Sequence, residues 1–147
     1  MSPERITAFR GDHAWLSNFF RVDVALDGVT YRSVEHAFQA AKSLDPAERA
    51  RVGAASSPAI ARRVGKKVTL RPGWDALRLE VMLGLLRQKF GPGTSLAERL
   101  IATGDAHLEE GNRWGDRFWG TVDGAGENHL GRLLMQVRAE LRERRSD

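Results

Sequence analysis

The chain has 147 residues, 41% of them hydrophobic and 29% charged, which is the balance of a globular protein with enough apolar material for one core. It contains no cysteine, and this excludes disulfides, thiolate zinc sites and cysteine nucleophiles. Because no run of about 18 apolar residues occurs and the start, MSPERITAF, has no apolar segment, we expect no membrane span, no secretory signal and a cytoplasmic location.

The net charge of +4 favours anionic partners such as nucleotides or nucleic acid. An arginine-rich composition alone produces the same value, so the charge does not decide between these explanations. Many basic residues lie in two groups: Arg62, Arg63, Lys66 and Lys67, and Arg138, Arg142, Arg144 and Arg145. Both groups are more typical of solvated helix faces or ends than of phosphate sites.

The first part of the chain is predicted to be largely extended. The run ITAF (6–9) has β character, and the Asp27-Gly28 pair between two β-rich runs predicts a hairpin. Between them, the stretch GDHAWLSNFF (11–20) has no clean hydrophobic period. We therefore predict a loop with aromatic anchors there.

Capping signals predict helices from Ser33 onward. Ser33 has the position of an N-cap, Pro46 begins a second helix, and Ser57 with Pro58 begins a third. A brief strand is predicted over residues 67–70. The spacing of apolar residues predicts two further helices, WDALRLEVMLGLLRQKF and LGRLLMQVRAELRERR. Thr94 as a cap and Gly104 just past the end predict another, TSLAERLIATG.

Residues 105–128 are polar, glycine-rich and aromatic, which predicts a long loop or short strands, and loops of this length are usually functional. No internal repeat or domain linker is visible. The sequence therefore predicts a mainly α fold over residues 1–147, a single-domain helical bundle with a small N-terminal β-hairpin.

Two stripes of residues share the predicted helix SVEHAFQAAK (33–42). The core stripe follows helical spacing and consists of Val34, Ala37, Phe38 and Ala41. Glu35, Gln39 and Lys42 form a polar stripe at its border. Glu35 and Lys42 lie about 10 Å apart along the axis, too far for an intrahelical ion pair. The polar stripe is either a solvated edge, which spacing alone favours, or a pair of charged groups flanking a small ligand.

Other candidate groups carry weaker signals. The segment GNRWGDRFWG (111–120) places two Trp-Gly pairs around Asp116, and a loop Trp either covers the core or stacks on a flat ring. The expected role of Trp74 is to anchor the core. For Asn18, capping a turn is favoured over binding a ligand. The four histidines show no metal-ligand spacing and are predicted to be structural. Dinucleotide, P-loop and GxSxG motifs are absent.

Several motifs occur together in one order: LSNFF (16–20), DGVTYRSVEHAFQAAK (27–42), WDALRLEVM (74–82), KF (89–90), DRFWG (116–120) and NHLGRLLMQVR (128–138). With these motifs the chain resembles the NADAR (YbiA-like) family, named for its association with NAD and ADP-ribose metabolism. The resemblance runs from about Phe9 to Leu141. It implies a mostly helical fold.

The resemblance also implies hydrolysis of an N-glycosidic bond, in a scheme that requires no metal and no cofactor. The activity predicted first is removal of ADP-ribose from guanine bases in nucleic acid. One alternative is cleavage of the base–ribose bond in phosphoribosylated intermediates of riboflavin synthesis. Another is a non-enzymatic ADP-ribose or nucleotide sensor, and a basic nucleic-acid-binding module ranks below it. The partner is thus an ADP-ribose-type or phosphoribosyl substrate, small or on nucleic acid, with no membrane partner.

The resemblance assigns functional positions residue by residue. It implies roles for Glu35, Trp74, Asp116 and Trp119, with Lys42 as a candidate nucleophile. The family places the acid three residues before a Trp-Gly pair, which selects Asp116 ahead of Trp119-Gly120. The predicted catalytic residues are Glu35, Lys42 and Asp116, and the predicted substrate-binding residues are Asn18, Gln39, Trp74, Trp119, Gly120 and Asn128. Glu127 departs from the family, which often has a basic residue there, so a phosphate contact at this position is in doubt.

Overall fold

The computed structural model describes residues 4–146, so the first three residues of MSPERITAF and Asp147 lie outside the description. The elements in chain order are β1 (Arg5–Ile6), a 3-10 helix (Gly11–Leu16), β2 (Val24–Leu26), β3 (Val29–Tyr31), α1 (Val34–Ala41), α2 (Pro46–Gly53), α3 (Pro58–Gly65), α4 (Trp74–Lys89), α5 (Ser95–Ala102), β4 (His107–Leu108) and α6 (His129–Ser146). The predicted fold class, mainly α with small strands, is confirmed.

The chain forms two compact units. One comprises the chain up to Ser17 together with the part from Phe90 onward, and the other is Asn18–Lys89. The single domain over residues 1–147 stays a prediction.

The hairpin of the Asn18–Lys89 unit joins β2 and β3 in antiparallel register, with Val24 opposite Tyr31. Asp27 and Gly28 have φ angles of 48° and 81°, the positive values that the tight two-residue turn of such a hairpin requires. The exposed edge of β2 is paired at Ala25, whose N–H and carbonyl each bond the Gln88 side chain at 2.7 Å. The predicted hairpin is confirmed.

Helix α1 lies at the centre of this unit, where it packs against α2, α3, α4 and the hairpin. Its first turn is capped by Ser33, whose hydroxyl accepts the His36 N–H at 3.0 Å, and Ser57 caps α3 in the same way. Both predicted caps are confirmed. Every residue of α1 from Val34 to Ala41 is buried, so the helix has no solvated edge within those bounds.

Two predictions about local structure are wrong. Residues 67–70 form no strand, because the Thr69 N–H donates to both carboxylate oxygens of buried Glu48, at 3.1 and 3.0 Å, and the chain turns there. The stretch beginning at Gly11 forms a 3-10 helix rather than a loop, although its aromatic Trp15 is buried as an anchor.

The other unit pairs β1 with β4 in parallel, with Arg5 opposite His107. Between β4 and α6, the chain of residues 109–128 is held by isolated bridges such as that of Gly111 with Thr121. The buried stripe of α6 consists of Leu130, Leu134, Val137 and Leu141. No helix within residues 4–146 is long and apolar enough to cross a membrane.

Candidate active site

Glu35 is a buried carboxylate in the first turn of α1, with 7% of its surface exposed. Its main-chain N–H donates to the Asn18 carbonyl at 3.1 Å, and its Oε1 accepts from Gln39 Nε2 at 2.9 Å. Burying a carboxylate is costly unless hydrogen bonds compensate. A buried carboxylate with this partner is a group held in a set orientation, as a catalytic role requires.

Gln39 is positioned by the close approach of α3. A Cβ added to Gly65 would lie 2.1 Å from Gln39 Oε1 and 2.8 Å from its Cδ, so only glycine fits. Gln39 Oε1 is buried and has no hydrogen-bond partner among the described residues, because it faces this glycine. The amide is thereby locked with Nε2 towards Glu35, which favours a positioning role for Gln39 over a direct substrate contact.

Lys42 follows α1 and is half-buried. Burial lowers the pKa of its amine below the ordinary value of 10.5, as do the cations of Arg62 and Lys66, while the Glu35 carboxylate acts in the opposite direction. The pKa of Lys42 thus depends both on Glu35 of the adjoining helix α1 and on basic side chains at the end of α3. An amine with a lowered pKa holds a larger neutral, nucleophilic fraction at a given pH.

Asn18 lies beside Glu35, since its carbonyl receives the Glu35 N–H. The side chain is 8% exposed, and its Nδ2 has only the weak sulfur acceptor of Met82 at 3.6 Å. Its Oδ1 has no hydrogen-bond partner among the described residues. A buried amide left this poorly satisfied is uncommon, and a ligand donor would complete it.

Trp74 begins α4 and is 5% exposed, with its ring 5.2 Å from the ring of Phe38 on the core stripe of α1. Most of its surface is therefore occupied by protein. The contact gives Trp74 an anchoring role in this unit, and its stacking on a substrate stays a prediction.

Asp116 and Trp119 lie in the unit that contains α5 and α6. Asp116 Oδ1 accepts the N–H groups of Phe118 and Trp119, at 3.1 and 2.9 Å, and this holds the turn DRFW. The Trp119 ring is half-buried and meets the Phe118 ring edge-on at 4.9 Å. The turn sets the direction of the indole, and the predicted roles of both residues stay predictions.

Gly120 and Asn128 hold the main chain of the same unit. A Cβ on Gly120 would lie 2.0 Å from the Glu110 carbonyl oxygen, so the position has no room for a side chain. Asn128 has a φ of 51°; its Nδ2 donates to the Leu108 carbonyl at 2.9 Å and its Oδ1 accepts the Glu110 N–H at 3.0 Å. These contacts are structural, and substrate binding by either residue stays a prediction.

His36 is satisfied within the fold, as predicted. Its Nε2 lies 3.0 Å from the Ala55 carbonyl, which can only accept, so Nδ1 accepts from the Ser33 hydroxyl at 2.7 Å. Across residues 4–146, no group of three or more His, Asp or Glu residues is arranged to hold a metal ion.

Sequence reasoning missed two groups. Asn112 donates through Nδ2 to Glu110 Oε2 at 3.0 Å and to the Asp116 carbonyl at 2.8 Å, so a second carboxylate lies near Asp116. Lys89 is 2% exposed at the end of α4, with its ammonium 5.5 Å from the centre of the Phe20 ring. Neither has a periodic signal, and only the KF motif drew attention to Lys89.

Fold and residue pattern together define a NADAR-domain protein: the family model described as NADAR domain matches residues 8–142, and the chain belongs to this family. The structure agrees with the NMR structure of the Escherichia coli protein YbiA, with a TM-score of 0.86 and 35% identity, over 100% of this chain and 90% of that one. The predicted family is confirmed.

The names of three curated relatives state an activity or a biosynthetic process. N-glycosidase YbiA of Escherichia coli (strain K12) is 38% identical over 133 residues, which cover 88% of this chain and 82% of the relative. An N-glycosidase of Nostoc punctiforme is 37% identical over 132 residues, covering 86% and 84%. A riboflavin biosynthesis protein of Vibrio vulnificus is 40% identical over 135 residues, covering 90% of this chain but 36% of that protein.

Proposed function

We propose that this protein is an N-glycosidase that hydrolyses the bond between a base and the anomeric carbon of a phosphorylated ribose. The observation that carries the proposal is the array on and next to α1, in which Gln39 orients the buried Glu35 carboxylate and Lys42 is an amine with a lowered pKa. The names of the relatives support the same reaction class.

The chemistry requires a negative group near the anomeric carbon. When the N-glycosidic bond breaks, its electron pair leaves with the base, and positive charge develops on the sugar. Glu35 opposes that charge or removes a proton from the attacking water, and the base is released with a proton. The buried setting strengthens the electrostatic effect of the carboxylate.

Lys42 offers a second route to the same products. The neutral amine attacks the anomeric carbon as the base leaves with the electron pair. Loss of a proton from nitrogen and opening of the ring at its oxygen then give an imine, and water cleaves that imine to return the amine and ribose. The lowered pKa supports this route, and phosphate binding by Lys42 is the alternative role.

Three further residues have proposed roles: Asp116, Trp119 and Asn18. Asp116 is proposed to orient a ribose hydroxyl or to act as a second acid/base group, and Trp119 to stack on a ring. The Oδ1 of Asn18, which has no hydrogen-bond partner within residues 4–146, is suited to a hydroxyl or N–H of the substrate.

Two substrate classes fit a base on a phosphorylated ribose. The names of the Vibrio relative and of a Zea mays relative, both riboflavin biosynthesis proteins, favour phosphoribosylated riboflavin intermediates. ADP-ribosylated guanine is the second candidate, drawn from the family resemblance. Incubation of the pure protein with each substrate, followed by mass spectrometry, distinguishes them. Tight binding with no product from either would support the sensor alternative instead.

The first prediction concerns turnover. Glu35→Gln keeps the shape and the Gln39 neighbour but removes the charge, and Lys42→Ala removes the amine. We expect each to lower kcat by on the order of a hundredfold or more while the circular dichroism spectrum is retained. The matched controls are Glu80→Gln and Lys67→Ala, which change exposed charges. Wild-type kcat in a folded Glu35→Gln or Lys42→Ala protein would disprove the role of that residue.

The second prediction concerns the covalent route. Borohydride added during turnover should reduce the imine and leave a ribose-derived mass on the peptide that carries Lys42. Trapping should increase with pH, since the neutral amine is the nucleophile, with a midpoint below the ordinary lysine value of 10.5. An adduct on other lysines only, or none while product still forms, would leave Glu35-assisted attack of water as the mechanism.

A further inference from the structure

The four basic residues at the end of α3 divide between two faces. At about 100° per residue, Arg62 and Lys66 lie on one flank of the helix, roughly 80° and 120° from the middle of the stripe formed by buried Ala61 and Gly65, whereas Arg63 and Lys67 lie on the far side. Arg63, Lys66 and Lys67 are exposed, and Arg62 is half-buried. Among the four basic residues, Arg62 is therefore the one that the protein partly covers.

The contact between Gly65 and Gln39 fixes where that face lies. The Cβ direction of Gly65 meets the Gln39 side chain directly, so α3 packs against α1 at the middle residue of the row of Glu35, Gln39 and Lys42. Arg62 and Lys66 act electrostatically on Lys42, which agrees with this packing. Lys42 therefore lies within electrostatic range of two further cations and one carboxylate of the Asn18–Lys89 unit.

Among these groups the basic side chains outnumber the carboxylate. Like charges held together raise the free energy of the protein, and a bound anion removes that cost. Arginine and lysine side chains on one helix flank are also the usual ligands of phosphate oxygens.

We propose that Arg62 and Lys66 bind the phosphate on the 5-carbon of the ribose whose anomeric bond is broken. The proposal rests on the proposed function and adds the anchor that places the anomeric carbon beside Glu35 and Lys42. A phosphoribosyl group and the distal ribose of ADP-ribose both carry a phosphate at this carbon. The site therefore recognises the chemistry that the two substrate classes share.

The test measures binding rather than turnover. Ribose 5-phosphate, ADP-ribose, ribose and inorganic phosphate are titrated into the full chain, with NMR or calorimetry as the readout. In the double variant Arg62→Gln/Lys66→Gln, we expect the Kd of ribose 5-phosphate to increase on the order of ten- to a hundredfold, because charge-assisted hydrogen bonds are lost. Ribose itself should be unaffected. The ADP-ribose arm shows whether a diphosphate is accepted as well as a monoester.

The matched control is Arg63→Gln/Lys67→Gln, which removes the same charge from the opposite face and should change the Kd by no more than about twofold. Equal losses in both double variants would overturn the proposal in favour of general charge attraction. Unchanged affinity in Arg62→Gln/Lys66→Gln would also overturn it, as would a wild-type protein that binds no phosphorylated probe.

The proposed function can fail separately. If Glu35→Gln retains full turnover while Arg62→Gln/Lys66→Gln loses ribose 5-phosphate, the catalytic role of Glu35 is wrong and the phosphate site stands. If Glu35→Gln is inactive and the Kd for ribose 5-phosphate is unchanged in the double variant, the catalytic role stands and the phosphate site is wrong.

Discussion

Asp116 shows how one side chain combines a structural contact with a negative charge. Its Oδ1 receives two main-chain N–H groups, which is a geometric task that an uncharged amide oxygen can also perform. Catalysis or binding of a ribose hydroxyl would depend on the carboxylate as a charged acceptor. Two substitutions of the same residue therefore separate the two roles.

The third prediction uses that separation. Asp116→Asn keeps an oxygen for the Phe118 and Trp119 N–H groups, so we expect near-wild-type stability but a large loss of kcat. Asp116→Ala loses that oxygen, and its free energy of unfolding should fall by about 1–2 kcal/mol. Urea denaturation and steady-state kinetics measure the two effects. Full turnover in Asp116→Asn would make Asp116 a structural residue only.

The packing of α1 against α3 depends on the missing side chain of Gly65. Because the space of its Cβ is occupied by Gln39, any larger residue must displace the amide that orients Glu35. Helix α4 contains the opposite case at Gly84, where a Cβ would meet nothing within 4 Å. The two helical glycines can therefore be compared directly: one is crowded by a neighbouring side chain and the other is not.

The fourth prediction compares these glycines. Gly84→Ala should stabilise the protein by about 0.5–1 kcal/mol, since alanine favours the helix and clashes with nothing. Gly65→Ala should destabilise it by about 1–3 kcal/mol through overpacking, and should also lower kcat by moving Gln39. Measuring the free energy of unfolding and kcat of both variants tests these expectations. If Gly65→Ala behaved like Gly84→Ala, the positioning role of Gln39 would be wrong.

The stability of the whole molecule is linked to pH through Lys89. Burial lowers the pKa of its amine to about 7, from the ordinary 10.5. Between these values the unfolded chain binds a proton that the folded chain does not, so the free energy of unfolding rises with pH across that window. Below about pH 7 the buried ammonium imposes its full cost.

The fifth prediction follows from this rise of the free energy of unfolding with pH. Lys89→Met replaces the amine with an apolar chain of similar length, so the rise in stability from about pH 7 to 10 should largely disappear. At pH 6 the variant should be more stable than the wild type by a few kcal/mol at most. Urea denaturation across this pH range gives the comparison. An unchanged pH slope would show that Lys89 is not the group responsible.

Local chemistry explains which elements were predictable. Ser33 and Ser57 satisfy N–H groups within one helical turn, and Asp27-Gly28 adopts its turn through its own backbone freedom, so short segments contain the needed information. Residues 67–70 have β-forming side chains but form no strand, because an acceptor distant in the sequence binds the main-chain N–H of Thr69. The carboxylate of Glu48 takes the Thr69 N–H that a strand would have used.

The amino-acid sequence was sufficient to predict the family, the mainly helical class, the caps and the row of Glu35, Gln39 and Lys42. Helical spacing alone favoured a solvated edge for that row, and the tertiary structure decided otherwise by burying Glu35 and Gln39. The physical reason is that burial, and with it the lowered pKa of Lys42, depends on what packs against α1 from elsewhere in its unit. Gly65 brings α3 against Gln39, and no spacing within residues 33–42 records that contact.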